Sequence, residues 1–257
     1  MAVRVELEER VCTITIDRPE KHNAMDAAHY AMLSEAWIRV RDDLEIQAAI
    51  ITGAGDRTFT AGADLKDLER VLSPVSEYWL TQKDQLLNRG LQIWKPVIAA
   101  INGDCFAGGM TLMMATDIRI AVSEATFGIT EVKRGLLAAN GGTQRPIKQI
   151  PYAIAMEMLL TGDAISAQEA LRWGLVNAVV QRDELMRTAH DYARRILRNG
   201  PLAVQATKEL AIRSMDMSME DGLRMEQLSI RHLLQTEDVA EGRAAFAERR
   251  VPVFRGR

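Results

Sequence analysis

Alternation of apolar and polar positions at the start of the chain predicts two strands joined by a short turn. The strands span residues 3–7 and 11–17, and the charged residues 8–10 form the turn. From residue 26 to residue 44 the apolar residues recur at helical spacing, so this stretch predicts a helix. The apolar positions of that helix are Leu33, Ala36, Trp37, Val40 and Leu44.

Short apolar runs in the middle of the chain predict buried strands separated by helical stretches. The predicted strands are residues 48–52, 96–101 and 118–122. The predicted helices are residues 77–94 and 108–115. The second of these helices is opened by the pair Gly108 and Gly109.

Signals for helix starts and ends dominate the second half of the chain. Ser166 and Glu169 form the pattern of a capping box, which begins a helix that Gly174 ends. A strand to residue 180 follows, and then a helix over residues 183–198. Three further helices are predicted over residues 202–215, 219–234 and 238–250. Strands that alternate with helices and then give way to helices alone predict an α/β fold with a helical C-terminal region.

The composition is that of a folded protein whose main partner is not nucleic acid. Hydrophobic residues make up 47% of the 257 residues and charged residues 26%, so burial of apolar surface can offset the entropy of the chain. The formal net charge is −3. A slightly acidic chain is a poor general binder of polyanions.

Cysteine and histidine positions, together with the apolar stretches, exclude several other classes. Cys12 and Cys105 are too few and too far apart for a disulfide framework or a CxxC site, so we expect a reduced, cytoplasmic protein. The four histidines have no metal-ligand spacing, and we expect no metal site. Charge interrupts the first residues, and polar residues and glycines break the most apolar stretch, residues 96–114. We therefore expect neither a signal peptide nor a membrane span.

Two glycine-containing turns are the first candidates for a functional site. They cover residues 59–66 and 102–109, and each places small residues just before a predicted helix start. Small residues let a ligand approach the backbone, and the free N–H groups of a helix start are donors to anions. Two such donors that converge on one oxygen would form an oxyanion hole. On local sequence alone, two ordinary tight loops are the favoured explanation, because glycine-rich turns are common.

Glu131 is the acidic residue with the most informative surroundings. It lies among glycines and apolar residues, where a partly buried carboxylate has a raised pKa and can act as an acid or a base. The alternative is an ordinary loop glutamate that faces solvent. The C-terminal arginines, among them Arg243 and Arg249, are typical of a solvated helix face but could also bind a phosphate group.

Taken together, these segments resemble the crotonase, or enoyl-CoA hydratase/isomerase, superfamily along essentially the whole chain. The stretches 169–174 and 246–257 are most similar to carnitinyl-CoA dehydratase-like members. The segments that carry the resemblance are residues 17–25, 59–66, 95–103, 108–109, 117, 127–128, 131, 141–145, 160–163 and 246–250.

The resemblance implies a fold and an assembly. The fold would be a crotonase-like spiral of ββα units over residues 1–200, followed by a helical trimerisation region over residues 201–257. The assembly would be a homotrimer or a dimer of trimers. The substrate would be an acyl-CoA thioester, with no separate cofactor because coenzyme A is part of the substrate.

The resemblance also implies roles for individual residues. The backbone N–H groups of Ala63 and Gly108 would form the oxyanion hole, and Glu131 matches the second of the two catalytic glutamates of hydratases. Asn140 is a further candidate for the pocket. Residues matched to coenzyme A binding are Ala63, Asp64, Leu65, Lys66 and Gly108, together with Phe246 and Arg249 from a neighbouring subunit.

The chain departs from the hydratase pattern at Thr111. Hydratases carry their first catalytic glutamate at this position, and both glutamates hold the water that adds across the double bond. A threonine hydroxyl can orient water but cannot accept a proton near neutral pH. Three functions stay open: an enoyl-CoA hydratase-type lyase in which Glu131 acts with or without Thr111, a double-bond isomerase with Glu131 as its single base, and a catalytically weak acyl-CoA-binding trimer.

Overall fold

The computed structural model describes residues 2–67 and 85–257, and the strands in this part of the chain form two sheets. The strands are β1 (Val3–Glu8), β2 (Val11–Ile16), β3 (Ala48–Gly53), β4 (Thr58–Thr60), β5 (Val97–Ile101), β6 (Asp104–Phe106), β7 (Ile118–Val122), β8 (Thr126–Gly128), β9 (Ala164–Ser166) and β10 (Ala178–Val180). The larger sheet has the order β1-β2-β3-β5-β7-β10, and the smaller has the order β4-β6-β8-β9.

The α-helices of the described residues are concentrated in the second half of the chain. They are α1 (Ala27–Asp42), α2 (Gly108–Met113), α3 (Arg145–Gln149), α4 (Tyr152–Thr161), α5 (Ala167–Arg172), α6 (Leu185–Leu197), α7 (Pro201–Arg213), α8 (Met219–Leu233) and α9 (Glu237–Glu248). The last three helices follow one another without an intervening strand, as the sequence predicts.

Parallel strands with apolar residues on both faces form the centre of the larger sheet. Every residue of β3 and of β5 is buried, which explains why both segments read as continuous apolar runs rather than alternating ones. Ile50 pairs with Ile98, and Ile98 pairs with Ile118. A continuous apolar run therefore indicates a central strand that is covered on both faces, in addition to indicating a strand.

Consecutive strands pass from the larger sheet to the smaller one three times. β3 leads to β4, β5 to β6, and β7 to β8, each across a short connection. In the smaller sheet β4, β6 and β8 are parallel neighbours. Because the carboxyl ends of parallel strands meet at the same edge of a sheet, the loops after these three strands are brought together.

The first helix illustrates how local signals set an element's bounds. The Asp26 side chain accepts hydrogen bonds from the N–H groups of Ala28 and His29, both at 3.1 Å, and so caps α1. Leu33, Ala36, Trp37 and Val40 are buried as predicted. The prediction for Leu44 is wrong: this residue lies beyond the helix end and is 89% exposed.

Two predictions need correction, one of which lies partly outside the described residues, and several short elements are not predicted at all. Of the helix predicted over residues 77–94, residues 77–84 lie outside them, and residues 85–94 contain only a 3-10 turn, Leu87–Arg89. The strand predicted to begin after Gly174 is limited to β10. The helices α3 and α4 are not predicted from the sequence. The strands β6, β8 and β9 are not predicted either, because three residues each are too few to show a period.

The C-terminal helices match their predicted bounds to within two residues. The side chains of Ser218 and Thr236 cap α8 and α9 by accepting hydrogen bonds from backbone N–H groups. The buried carboxylate of Asp238 accepts from the N–H groups of Arg255 and Gly256, at 2.6 and 2.8 Å. The last residues of the chain are thereby held against α9.

Candidate active site

Two loops after strands of the smaller sheet approach each other closely at Gly62 and Gly108. Gly62 has φ +87°, and a Cβ atom on it would lie 2.5 Å from the Gly108 nitrogen. A Cβ atom on Gly108 would lie 3.5 Å from the Ala63 nitrogen. Only glycine fits this contact, because any side chain would enter the space between the two backbones. The contact therefore brings the backbone nitrogens of Ala63 and Gly108 close to each other.

Neither of these two N–H groups donates to an acceptor among the described residues. Met25 donates to the Gly62 carbonyl and accepts from the Asp64 N–H, at 2.8 and 2.9 Å, and so leaves Ala63 between them unused. Gly108 is the first residue of α2, where a backbone N–H has no partner within the helix. The two closely approaching backbones therefore each carry an N–H group that has no acceptor among the described residues.

The start of α2 is held in place by an unusual backbone conformation. Ala107, which precedes the helix, has φ 49° and ψ −117°. Its N–H donates to the Gly128 carbonyl at 2.9 Å, at the end of β8. Strained backbone of this kind persists only where the surrounding structure imposes it, and it is concentrated at functional sites.

Glu131 follows the third of the parallel strands and begins a 3-10 helix, Glu131–Arg134. Its side chain is half-buried, and Oε2 has no hydrogen-bond partner among the described residues. Burial raises the pKa of the carboxyl above its usual range, while the residue's own backbone N–H and Arg134 act in the opposite direction. A carboxyl with a raised pKa and no fixed partner is suited to accept and return a proton.

Thr111 lies one turn into α2 and is almost fully buried. Its hydroxyl donates to the Gly108 carbonyl at 2.9 Å and accepts from Nδ2 of Asn88 at 3.0 Å. The hydroxyl proton is thus already used, and only a lone pair is left for a further contact.

The sequence reading missed Asn88 because it lies in the stretch predicted as a continuous helix. The signal that could have found it is the turn-forming sequence Asn88-Arg89-Gly90. Asn88 is buried, and its Oδ1 has no partner among the described residues.

Asn140 lies in a turn that packs against Thr111. It has a left-handed backbone, with φ 54°, and its carbonyl accepts from Nη1 of Arg145 at 2.7 Å. A Cβ atom on Gly142 would lie 2.8 Å from Cγ2 of Thr111, so this turn contacts Thr111 directly. The structure therefore groups Asn140 with Thr111 and Asn88.

The segment after Ala63 is fixed by a network of charges. Nη1 of Arg18 donates to Oδ2 of Asp64 at 2.9 Å, and the Lys66 N–H donates to Oδ1 at 3.1 Å. These two contacts, the backbone one first, lower the pKa of Asp64. Its carboxylate shapes the turn, while Leu65 and Lys66 are exposed and accessible to a ligand.

Phe246 and Arg249 lie elsewhere on the chain, at the end of α9. Phe246 is 87% exposed and lines a cavity of about 470 Å³ with Phe254 and Gly242. None of the hydrogen bonds of the described residues joins this end of α9 to the turn at Ala63 or to Glu131. Within a single chain, Ala63 lies close to Gly108, and Thr111 lies one turn into the helix that Gly108 begins.

The remaining candidate chemistry is limited in the part of the chain that the structure describes. No group of three or more histidine, cysteine, aspartate or glutamate side chains there could hold a metal ion. Cys12 and Cys105 are free and buried, and burial raises the pKa of the Cys12 thiol to about 11, so it stays protonated and unreactive. No described helix combines the length and the apolar character needed to cross a membrane.

Comparison with known proteins gives the same family at the level of sequence and of structure. The profile of the enoyl-CoA hydratase/isomerase family matches residues 6–257. The chain is 44% identical to (E)-benzylidenesuccinyl-CoA hydratase of Thauera aromatica over the full length of both proteins, 256 aligned residues. It is 41% identical to carnitinyl-CoA dehydratase of Salmonella typhi, covering 96% of this chain and 95% of the relative. The crystal structure of an enoyl-CoA hydratase from Mycobacterium tuberculosis superposes with a TM-score of 0.90 at 38% identity, covering 100% of this chain and 99% of that one.

Proposed function

The chain belongs to the enoyl-CoA hydratase/isomerase family, and on that premise we propose that it is a lyase that adds water to an enoyl-CoA or removes it from the corresponding 3-hydroxyacyl-CoA. One observation carries the proposal. The N–H groups of Ala63 and Gly108 have no acceptor among the described residues, and they lie at the sheet edge from which the segment carrying Glu131 also starts. Oε2 of Glu131 has no hydrogen-bond partner among these residues either.

The two donors supply the main electrostatic stabilisation. When water attacks the β-carbon, the thioester carbonyl becomes an enolate-like oxyanion. We place this oxygen between the N–H groups of Ala63 and Gly108. Such donors are fixed before the reaction, and loss of one typically costs about 3–4 kcal/mol of transition-state stabilisation. This part of the mechanism needs only backbone atoms.

Glu131 moves the proton in this mechanism. The ionised carboxylate takes one proton from the water as the water oxygen bonds to the β-carbon and the double-bond electrons move into the enolate. The same carboxyl then gives that proton to the α-carbon, which completes the addition of one water molecule. The raised pKa of Glu131 supports this role, because the carboxyl must hold the proton between the two steps.

Coenzyme A binding is assigned to the surface on either side of this centre. Residues 63–66 would hold the pantetheine arm, and the exposed Lys66 offers a charge to the phosphates. Phe246 and Arg249 would contact the nucleotide from a neighbouring copy in a trimer or a dimer of trimers. Support for the assembly comes from the exposed apolar residues of the C-terminal helices, such as Leu223 and Ile230.

Double-bond isomerisation is the second candidate, and Thr111 is the observation that favours it. Isomerisation requires one base to remove a proton and return it to another carbon, so a site with a single carboxyl suffices. The carboxyl of Glu131 could serve this reaction without any contribution from Thr111. A catalytically weak acyl-CoA-binding role is disfavoured because Glu131 keeps a carboxyl oxygen that has no hydrogen-bond partner among the described residues.

A panel of enoyl-CoA thioesters separates these functions. The panel should include crotonyl-CoA, longer straight chains and β-aryl enoyl-CoAs, with mass spectrometry and product chromatography as the readout. A mass gain of one water identifies the lyase, and an unchanged mass with a shifted double bond identifies the isomerase. Tight binding with no product on any substrate would contradict both enzymatic functions. Glu131→Gln serves as the inactive control.

A further inference from the structure

Arg18 is a partly buried residue that the proposed mechanism does not use, and it binds the turn that follows Ala63. Its side chain is 21% exposed. A single nitrogen, Nη1, donates to Oδ2 of Asp64 at 2.9 Å and to the Ala24 carbonyl at 3.2 Å. The same nitrogen lies 3.4 Å from Oδ2 of Asp26. One cation therefore joins the turn after Ala63 to the segment that runs from Ala24 to Asp26.

Met25, at the centre of that segment, fixes the backbone on both sides of Ala63. Its N–H donates to the Gly62 carbonyl at 2.8 Å, and its carbonyl accepts from the Asp64 N–H at 2.9 Å, which makes a parallel bridge between Met25 and Ala63. Glycine restricts the backbone less than any other residue, so the direction of the Ala63 N–H depends on these two hydrogen bonds. Arg18 binds the residues before and after Met25 and the side chain of Asp64, and so holds both sides of this bridge.

The two carboxylates that Arg18 joins would repel each other in its absence. The Lys66 N–H lowers the pKa of Asp64. Burial raises the pKa of Asp26, but hydrogen bonds from His29 hold it below its usual range, so both groups are ionised at neutral pH. Their Oδ2 atoms are at most about 6.3 Å apart, because they lie 3.4 and 2.9 Å from the same nitrogen. Like charges at this distance repel, and loss of Arg18 would push Asp64 away from Asp26.

We propose that Arg18 is a positioning residue for the oxyanion donor of Ala63, a role that rests on the oxyanion site of the proposed function. By holding Asp26 and Asp64 together, Arg18 keeps the bridge made by Met25 closed and so fixes the direction of the Ala63 N–H. Donors stabilise an oxyanion best when their direction is fixed before the reaction. Arg18 acts through the backbone and needs no contact with the substrate.

The first test is spectroscopic and does not depend on turnover. Butyryl-CoA labelled with ¹³C at the thioester carbonyl is bound to wild type and to each variant, and the infrared band of that carbonyl is measured. Aligned N–H donors polarise the carbonyl, so binding to wild type should shift the band to lower wavenumber. In Arg18→Met, which keeps an apolar stem but no donor, the shift should fall by about half or more. Arg4→Met is the matched control: Arg4 pairs with Asp17 at 3.0 Å, and its loss should leave the shift unchanged.

Two further variants test the charge argument. The contacts of Arg18 with the segment and with the turn all use one nitrogen, so the ammonium group of Arg18→Lys can replace them in part and should restore some of the band shift. In the double variant Arg18→Met with Asp64→Asn the repulsion is removed, and the asparagine keeps an oxygen for the Lys66 N–H. Its band shift should exceed that of Arg18→Met alone. A double variant that is no better than Arg18→Met would overturn the proposal.

The kinetic test uses the best enoyl-CoA of the panel. The kcat of Arg18→Met should fall about 10- to 100-fold, because a donor that points in the wrong direction is only partly lost. KM should change by less than about 3-fold. A raised KM with an unchanged kcat would mean that Arg18 only supports binding of coenzyme A, and it would overturn the proposal.

The infrared measurement keeps the role of Arg18 and the proposed function apart. A wild-type band shift that Arg18→Met retains in full would overturn the role of Arg18 and leave the function standing. A wild type with no band shift would instead contradict the oxyanion site of the proposed function. Thermal unfolding establishes that each variant is folded. If Arg18→Met does not fold, Arg18→Lys replaces it and should show a smaller shift than wild type, and an unchanged shift would overturn the proposal.

Discussion

The core of the chain and its C-terminal helices differ in how they bury apolar surface. Every residue of β3 and β5 is buried, whereas α7 and α8 contain no buried residue at all. Large apolar side chains are exposed across the C-terminal region, among them Met219, Leu223, Leu228, Ile230, Leu234, Phe246, Val251 and Val253. The core completes its packing within one chain, and the helices after residue 200 leave a surface of the kind that another protein chain covers.

The proposed site is divided in the same way. Ala63, Gly108 and Glu131 follow the short strands of the core, whereas Phe246 lies on α9 and Arg249 directly follows its last residue. We infer that the chemistry depends on one chain and that binding of the coenzyme A nucleotide depends on assembly. Substitutions in the core should therefore lower turnover without changing the mass of the assembly. Substitutions in the C-terminal helices should change that mass and weaken coenzyme A binding, with a smaller effect on turnover.

The largest effect is expected for Glu131→Gln. Turnover should fall by about 10²–10⁴-fold, the usual contribution of a general acid or base, because the amide cannot take a proton. Acyl-CoA binding and the mass in light scattering should stay as in wild type. Steady-state kinetics and calorimetric binding check this, and near-normal turnover on a verified substrate would contradict the assignment of Glu131.

Gly62→Ala should have the next largest effect. The added Cβ would lie 2.5 Å from the Gly108 nitrogen, so one oxyanion donor must shift, and kcat should fall by about 10²–10³-fold. Gly174→Ala is the matched control, since Gly174 also has a positive φ, +74°, but no atom within 4 Å of the added Cβ. Equal losses of activity in the two variants would mean that backbone strain, rather than the close approach to Gly108, causes the defect.

The two regions differ in how much of their structure can be predicted from the sequence. The C-terminal helices were predicted to within two residues because their caps, Ser218 and Thr236, are local signals and their periods are long. The three-residue strands β6 and β8 carry no period, yet their pairing brings Ala107 to Gly128, three residues before Glu131. Local sequence left the turns at Gly62 and Gly108 as ordinary loops, and only the family resemblance paired them. The contact of Asn88 with Thr111 leaves no local pattern, because its hydrogen bond joins residues 23 positions apart.

The third prediction concerns assembly, and we expect a smaller effect on activity from its disruption than from the two substitutions in the core. Leu223, 52% exposed on α8, is expected to lie in a subunit contact, so Leu223→Glu should shift the mass at micromolar concentration toward that of one chain, 28.6 kDa. Leu44→Glu is the matched control, because Leu44 is 89% exposed as a single residue in the core region and needs no partner. Light scattering reports the mass. A wild-type protein that is itself a stable monomer would contradict the proposed assembly.

The smallest effect contrasts two glutamates, one from each region, through the pH dependence of stability. Burial raises the pKa of Glu131, so folding disfavours its ionised form: the stabilisation is present below the ordinary carboxyl pKa and is lost as pH rises through the raised value. Glu131→Gln should therefore unfold at a higher temperature than wild type at pH 7, and the gain should vanish in acid. Because solvent screens the half-buried carboxyl, we expect less than the roughly 2–4 °C that 1 kcal/mol produces in a domain of this size.

Glu241 on α9 should behave in the opposite way. Hydrogen bonds from Arg250 and from the Val253 N–H lower its pKa to about 2, so folding favours its ionised form. That stabilisation is present above the ordinary carboxyl pKa and is lost as pH falls toward the lowered value. Glu241→Gln should thus unfold at a lower temperature than wild type at pH 7, with the difference closing as pH approaches 2. Thermal unfolding of both variants from pH 2 to pH 8 checks the signs. The same sign in both would mean that the two carboxyls do not differ as their surroundings require, because a half-buried carboxyl without a partner and an ion-paired one on α9 must respond oppositely to protonation.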